Sequence, residues 1–314
     1  MSARILIADK LAKRAGEILQ AAGHEVVTRT GLSEAELCEA VKSFDALLVR
    51  SAVKVTRPII EASDALKVIG RAGTGVDNID VPAATGKGIL VMNVPGGNTV
   101  TAAEHTIALM FSLARNVPQG DASLRRGEWE RSKYTGVEIT GKTLGVVGFG
   151  KIGQIVADRA LGLKMKVVAF DPLVPSFMKE AVGVAQAATL DDLLAQSDVI
   201  TLHVPGGAST KGLIGRDALA KCRKGVLLIN CARGGIIDEA ALAEALQSGH
   251  VGGAAIDVFT AEPPTGNPLL ALPNVVLTPH LGASTHEAQT RVAIAVAEQV
   301  CDFLATGRRY GAVN

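Results

Sequence analysis

Residues 144–171 read "LGVVGFGKIGQIVADRALGLKMKVVAFD", and the architecture follows from how this run is parsed. Leu144–Val147 is apolar, Gly148-x-Gly150-x-x-Gly153 follows at once, a helical pattern comes next, and a second apolar run ends on Asp171. That order predicts a strand, a tight turn, a helix and a second strand. The glycines let backbone approach a pyrophosphate closely, and the helix N-terminus offers unpaired N–H groups with partial positive charge. Asp171 stands eighteen residues after Gly153, near the roughly 20 expected for an acid that accepts from ribose hydroxyls. The same acid repels a 2′-phosphate, and "PLVP" at 172–175 holds no arginine to offset it. The expectation is NAD rather than NADP, bound by Gly148, Gly150, Gly153 and Asp171. Such a glycine loop also closes strand–helix turns in proteins without a ligand; the acid at the next strand end favours the nucleotide.

Outward from this unit the pattern repeats. "ILIA", "EVVT", "ALLV", "KVIG" and "ILVM" precede residue 95; "TLGVVG", "KVVAF", "VITLHV", "VLLIN", "AAIDVF" and "VVLT" follow residue 140. Continuous apolar strands spaced by helices predict parallel sheets covered on both faces, here two doubly wound α/β units. Between the series, 98–115 reads as a helix with a capping-box spacing at Thr101 and Glu104; a second long helix opens at Ser284 and Glu287 and runs to about Phe303. Pro118 to Lys142 is polar, holds the single tryptophan, Trp129, and reads as a long loop or oligomer arm.

Bulk properties exclude several classes. The 314 residues include 32 Lys and Arg against 31 Asp and Glu, a net charge of +1, which gives no reason to expect nucleic acid or an anionic membrane as partner. No apolar run nears the roughly 20 residues of a membrane helix. "MSARILIADK" enters a strand directly, without a signal-peptide pattern. Cys38, Cys222, Cys231 and Cys301 form no CxxC pair. The expectation is a reduced, cytoplasmic protein without a metal site.

Three late strands end in polar residues, in "LLINCAR", "AAIDVFTAE" and "VVLTPH". They deliver Arg233, Glu262 and His280 to the carboxyl edge of one sheet, where open α/β sheets bind ligands. A guanidinium binds a carboxylate bidentately, an imidazole moves the hydroxyl proton during hydride transfer, and a glutamate beside it raises its pKa and fixes its tautomer. The two glycines after Arg233 are expected to let substrate and nicotinamide approach the backbone. Singly, each of the three residues has an ordinary surface reading; on three strands of one sheet the chemical reading prevails. His203 ends another strand and is the rival proton carrier, without an acidic partner. His105 is expected to be packed within its helix; His24, His250 and His286 read as turn or surface residues. Arg50, at a strand end, is a candidate phosphate partner, and an ordinary surface arginine is the equal alternative.

"GRAGTGVDNID", "VGFGKIG", "NCARGGIIDE", "DVFTAEPP" and "PHLGAST" resemble the D-2-hydroxyacid dehydrogenase family over nearly the whole chain. The resemblance implies the Arg233, Glu262 and His280 set. It implies NAD contacts at Thr74, Lys151, Ile152, Asp171, Val204, Cys231 and Asp257, with His203, Pro205, Ala232 and Gly282 beside them. It implies substrate contacts at Arg50, Ser51, Val53, Gly73 and Asn98, besides Arg233 and His280. It implies a Rossmann/flavodoxin-like pair of domains with a cleft between them that closes on substrate. Residues 1–97 with 284–314 would bind substrate and 98–283 would bind NAD. It further implies a two-fold dimer, or a tetramer, through the middle segment, with Lys133 of "GEWERSKY" approaching the neighbour's active site. The cysteine of "NCARGG" and the wording "PHLGASTHEAQ" point to a branch that oxidises a phosphorylated 2-hydroxy acid. Many members of that branch continue into a regulatory ACT region; this chain stops at "RRYGAVN", so feedback through such a region is not expected. Lys151 stands where arginine is common, which keeps the charge and loses the fork. Alternatives are a glyoxylate or hydroxypyruvate reductase of the same family, an NAD-sensing corepressor that binds peptides, and a nucleotide-binding module without turnover.

Overall fold

The computed structural model describes residues 2–173 and 183–314. The chain forms two compact units, Met1–Asn98 with Ala283–Asn314, and Thr99–Gly282. The first contains β1 (Arg4–Ile7), α1 (Lys13–Ala21), β2 (Glu25–Thr28), α2 (Glu34–Val41), β3 (Ala46–Val49), α3 (Arg57–Ala62), β4 (Val68–Arg71), α4 (Val81–Gly86) and β5 (Leu90–Met92). All its strand pairs are parallel, in the order β2-β1-β3-β4-β5. Alternation along the strands feeds two cores. Leu6, Leu47, Val49 and Ile69 face one side, with Leu37 and Ile60. Ile5, Ala46, Leu48 and Val68 face the other, with Leu19 and Val296. The last helix of the chain (His286–Thr306) seats on β4 at Gly70. A Cβ there would stand 2.8 Å from Val296 Cγ2, so the close approach of helix and strand requires glycine. This helix is capped by Thr285, whose side chain accepts from Ala288 N, one residue later than the expected cap at Ser284.

The second unit contains α5 (Thr99–Ala114), α6 (Val117–Arg125), β6 (Thr143–Val147), α7 (Lys151–Gly162), β7 (Lys166–Phe170), β8 (Ala185–Gln186), α8 (Leu190–Gln196), β9 (Val199–Leu202), α9 (Arg216–Lys221), β10 (Val226–Asn230), α10 (Glu239–Gln247), β11 (Val251–Ile256) and β12 (Val275–Leu277). Continuing in chain order, the last helix of the chain, in the first unit, is α11. The second sheet is parallel throughout, in the order β12-β11-β10-β9-β6-β7-β8. Val146, Ala169, Val199 and Ile229 pack under α5 and α7 on one face; Ile200, Leu202, Leu228 and Ile256 pack against Leu194, Leu219 and Leu242 on the other. The two-residue β8 is too short to show in an apolar pattern.

Two expectations need correction. Pro118–Lys142 is not one long loop: Val117–Arg125 is helical, with Pro118 in its first turn, and Arg131–Tyr134 is a 3₁₀ turn. Only Ser123 of α6 is buried, so the segment carries no apolar stripe to read. Thr101 does not cap α5 either, because the helix already starts at Thr99; Glu104 instead pairs with Arg159 at 3.6 Å. Among the described residues no helix is long and apolar enough to cross a membrane.

Candidate active site

In the larger sheet the strand order reverses between β6 and β9, since β7 lies on one side of β6 and β9 on the other. Ligands of such sheets bind beyond the carboxyl ends at that point, where Gly148 and His203 stand. His203 N donates to Val147 O at 2.7 Å and Gly148 N to Phe170 O at 2.9 Å. Gly148 has φ +92° and its Cβ would lie 2.6 Å from His203 O. Gly150 is the N-cap of α7, makes no side-chain cap bond, and a Cβ there would meet nothing within 4 Å. The helix start, Lys151 and Ile152 included, therefore presents open backbone N–H groups, as a pyrophosphate requires. Asp171 holds the loop in shape: Oδ2 accepts from Phe149 N at 2.7 Å and Oδ1 from Leu173 N at 2.8 Å. Val174 and Pro175, of the segment that lacks arginine, lie outside the described residues. These residues fit a dinucleotide.

Gly153 is needed for packing. A Cβ on it would stand 2.2 Å from Gly148 O, so α7 could not sit on the turn. Gly153→Ala is expected to cost about 1–3 kcal/mol, the range of overpacking, and to weaken NADH binding. Thermal unfolding and NADH fluorescence titration check both; an unchanged Tm with unchanged affinity would show that the turn yields freely.

β10, β11 and β12 are consecutive neighbours, and Arg233, Glu262 and His280 lie beyond their carboxyl ends. His280 Nδ1 lies 2.9 Å from Glu262 Oε2 and 3.2 Å from Oε1. Glu262 Oε1 also accepts from Phe259 N at 3.2 Å. The pair lines a mostly apolar cavity of about 390 Å³ with Phe259, Pro264, Leu277 and Pro279. Glu239, at the start of α10, fixes the Glu262 loop: Oε1 accepts from Thr260 N at 2.7 Å and Oε2 from Asn267 Nδ2 at 2.6 Å. Arg233 packs along Gly206, donates from Nη1 to Ala232 O at 2.7 Å, and its own carbonyl accepts from Asn230 Nδ2 at 2.9 Å. For the first glycine of "RGG" the packing gives a different reason. A Cβ on Gly234 would lie 1.8 Å from Phe259 O; the glycine admits the loop after β11, not a ligand.

The rival His203 is partly buried beside Val204 and Pro205, and its Nε2 lies 3.0 Å from Thr201 Oγ1. Burial pushes its pKa down to about 4, so its imidazole is neutral near pH 7. Burial also pushes the Cys231 thiol, next to Ala232, up to about 12, which leaves it an uncharged thiol rather than a nucleophile.

Asp257, expected as a cofactor contact, is fully buried. It accepts from Leu281 N at 2.7 Å, Gly282 N at 2.9 Å and Thr278 Oγ1 at 2.6 Å. His105 was expected to be merely packed; its Nε2 lies 3.2 Å from Asp257 Oδ1.

In the smaller sheet the order reverses between β1 and β3, and Arg50 follows β3. Asp9, buried after β1, organises the Arg50, Ser51 and Val53 loop: Oδ2 accepts from Arg50 N and Ala52 N at 3.0 Å and from Val53 N at 3.3 Å. Asn78 Nδ2 donates to Arg50 O and Val53 O, each at 2.7 Å. Arg71 ends the adjacent strand β4, paired with Val49, and a Cβ on Gly73 would lie 1.9 Å from its Nη1. Thr74 Oγ1 donates to Asn98 Oδ1 at 2.7 Å. Sequence reading passed over Asp9, Arg71, Asn78, Glu239 and Thr278, and took His105 as packed only. Arg71 carried the same strand-end signal as Arg50. The others act on groups distant in sequence, backbone amides and carbonyls for Asp9 and Asn78 and the Asp257 carboxylate for His105 and Thr278, which no local pattern reports.

The D-isomer specific 2-hydroxyacid dehydrogenase, NAD binding domain, matches residues 107–282. A D-3-phosphoglycerate dehydrogenase of Methanocaldococcus jannaschii is 51% identical over 297 residues, 95% of this chain and 56% of that protein. The chain spans about half the length of the curated relatives it matches. Among solved structures, a glyoxylate reductase from Paecilomyes thermophila matches with a TM-score of 0.87 and 32% identity, over 99% of this chain and 98% of that one. An NAD⁺-bound 3-phosphoglycerate dehydrogenase of Entamoeba histolytica matches with 0.84 and 31%, over 100% and 99%. The chain belongs to the D-isomer specific 2-hydroxyacid dehydrogenase family.

Proposed function

We propose that this chain oxidises D-3-phosphoglycerate to 3-phosphohydroxypyruvate with NAD, the reaction that opens phosphorylated serine synthesis. The observation that carries the chemistry is the 2.9 Å contact between His280 Nδ1 and Glu262. It leaves the other ring nitrogen to take the substrate's hydroxyl proton, while the carboxylate stabilises the imidazolium that results. Arg233 holds the substrate carboxylate in a fork. The turn of Gly148, Gly150 and Gly153 would hold the pyrophosphate of NAD and Asp171 its ribose, and the bound nicotinamide would supply the hydride acceptor. His203, Val204, Pro205, Cys231, Ala232, Asp257 and Gly282 form the carboxyl-end rim of the same sheet. The phosphorylated substrate is supported by the curated relatives' names and by two cations, Arg50 and Arg71, on adjacent strand ends.

The test is initial-rate NADH formation from D-3-phosphoglycerate with a trap for the product, beside NADH oxidation by glyoxylate and hydroxypyruvate. Activity confined to the phosphorylated acid supports the proposal; activity only with the small acids moves the chain to the reductase reading that the Paecilomyes likeness favours. Arg50→Ala is expected to raise KM for D-3-phosphoglycerate about 10- to 100-fold, the loss of a charge-assisted contact, with hydroxypyruvate reduction little changed. Equal losses on both substrates would show that Arg50 supports the loop and not the phosphate.

We further infer that the Pro118–Lys142 segment pairs with a second copy of the chain in the cytoplasm. Its exposed apolar side chains support this, with Leu124 at 58% and Trp129 at 76%. Lys133, paired with Glu130 at 2.9 Å, belongs to the same segment.

A further inference from the structure

A buried set of polar groups stands behind the Glu262–His280 pair and is not used by proton transfer. His280 has φ +54°, a backbone that non-glycine residues rarely hold without support. The support is Asp257. Its carbonyl accepts from His280 N at 2.9 Å; its carboxylate takes the next two amides, Leu281 N at 2.7 Å and Gly282 N at 2.9 Å, and the Thr278 hydroxyl at 2.6 Å. One side chain with no exposure thus grips the loop on both sides of His280. Its remaining contact comes from helix α5: His105 Nε2 lies 3.2 Å from Asp257 Oδ1 and 3.2 Å from Thr278 Oγ1. Since Thr278 donates its hydroxyl to Asp257, a proton on Nε2 satisfies both oxygens.

We propose that His105 is a positioning residue: donating from Nε2, it keeps the Asp257 carboxylate ionised and aimed, and so holds His280 in the left-handed backbone that faces Glu262. The inference rests on His280 as proton carrier. It has a signature in pH. The groups facing Asp257 are His105 from α5, Thr278 with the Leu281 and Gly282 amides after β12, and the neutral Cys231 thiol after β10. Burial pushes the Asp257 carboxyl up, but hydrogen bonds from His105, Thr278 and Leu281 outweigh it and leave the group below its ordinary value. Loss of the His105 donor moves it upward. The loop needs the ionised form, so in the reduction direction, where His280 starts protonated and does not itself set the acid limb, activity is then lost at a higher pH on the acid side.

The test compares His105→Leu and His105→Gln with His280→Ala in the full chain. It reads kcat and KM for D-3-phosphoglycerate near neutral pH and for reduction of the 2-oxo acid across the acid range, with Tm and NADH affinity beside them. His105→Leu is expected to lower kcat roughly tenfold, one charge-assisted hydrogen bond, with KM and NADH affinity within about twofold and the acid limb raised. His105→Gln, which returns an N–H at the same reach, restores kcat and the limb. Wild-type kcat and acid limb in His105→Leu overturn the inference, as does a Gln variant that falls as far as Leu with matching losses of Tm and NADH affinity. Should Leu fail to fold, Gln against His105→Asn, a donor too short to reach, poses the same comparison. Full turnover in His280→Ala would overturn the reading beneath; an inactive His280→Ala with an unchanged His105→Leu overturns this inference alone.

Discussion

Replacing His280 by alanine is expected to lower kcat by about 10² to 10⁴-fold, the range for a general acid–base group, with NADH affinity nearly unchanged. The separation follows from placement. His280 lies beyond β12, at the far end of the sheet order from the β6 turn, so its ring can be removed without touching Gly148–Gly153. Its exposure, with the side chain at 49%, also means that truncation empties little core, and Tm should hold. Fold is carried by the backbone bonds to Asp257, which alanine keeps. Stopped-flow turnover with equilibrium NADH binding checks the pair of outcomes. Untouched turnover would pass the role to His203, yet burial pushes that pKa down to about 4, and its partner is a threonine, not a carboxylate.

The contrast between these two histidines shows what sequence can and cannot report. Both end apolar strands, so pattern alone ranks them equally; the acidic residue after a neighbouring strand broke the tie, and Glu262 does lie against His280. The two doubly wound sheets were legible because parallel strands are buried on both faces and read as unbroken apolar runs. The α6 helix was not, because a helix with one buried side chain leaves no period. Gly148 and Gly153 announced themselves through local steric need, and Gly150 through its place at the start of α7. The residues that shape the site from behind did not. Asp9 grips a loop 41 residues on, and His105 reaches Asp257 across 152 residues. Such partners share no spacing rule, since the fold alone brings them together. Gly234 illustrates the reverse error: a glycine beside a charged residue invites a ligand explanation, and the backbone of Phe259 turns out to occupy the space.

Arg233→Lys is the harder test of the chemistry, because it keeps the charge. We expect kcat/KM to fall about 10- to 100-fold, the worth of one or two charge-assisted hydrogen bonds. An ammonium is a point donor and cannot match the two oxygens of a planar carboxylate. The loss should appear in KM and kcat together, since a substrate held by one contact also presents its C2 carbon poorly to the His280 ring. The packing sharpens the expectation. The aliphatic stem of Arg233 runs along Gly206, where a Cβ would stand 3.2 Å from Arg233 Cγ, and Nη1 is anchored on Ala232 O at 2.7 Å. Lysine can follow the stem but has no second nitrogen to spend on the anchor, so its head is both less fixed and less complementary. A variant with near-normal kcat and KM would mean that the carboxylate is held elsewhere.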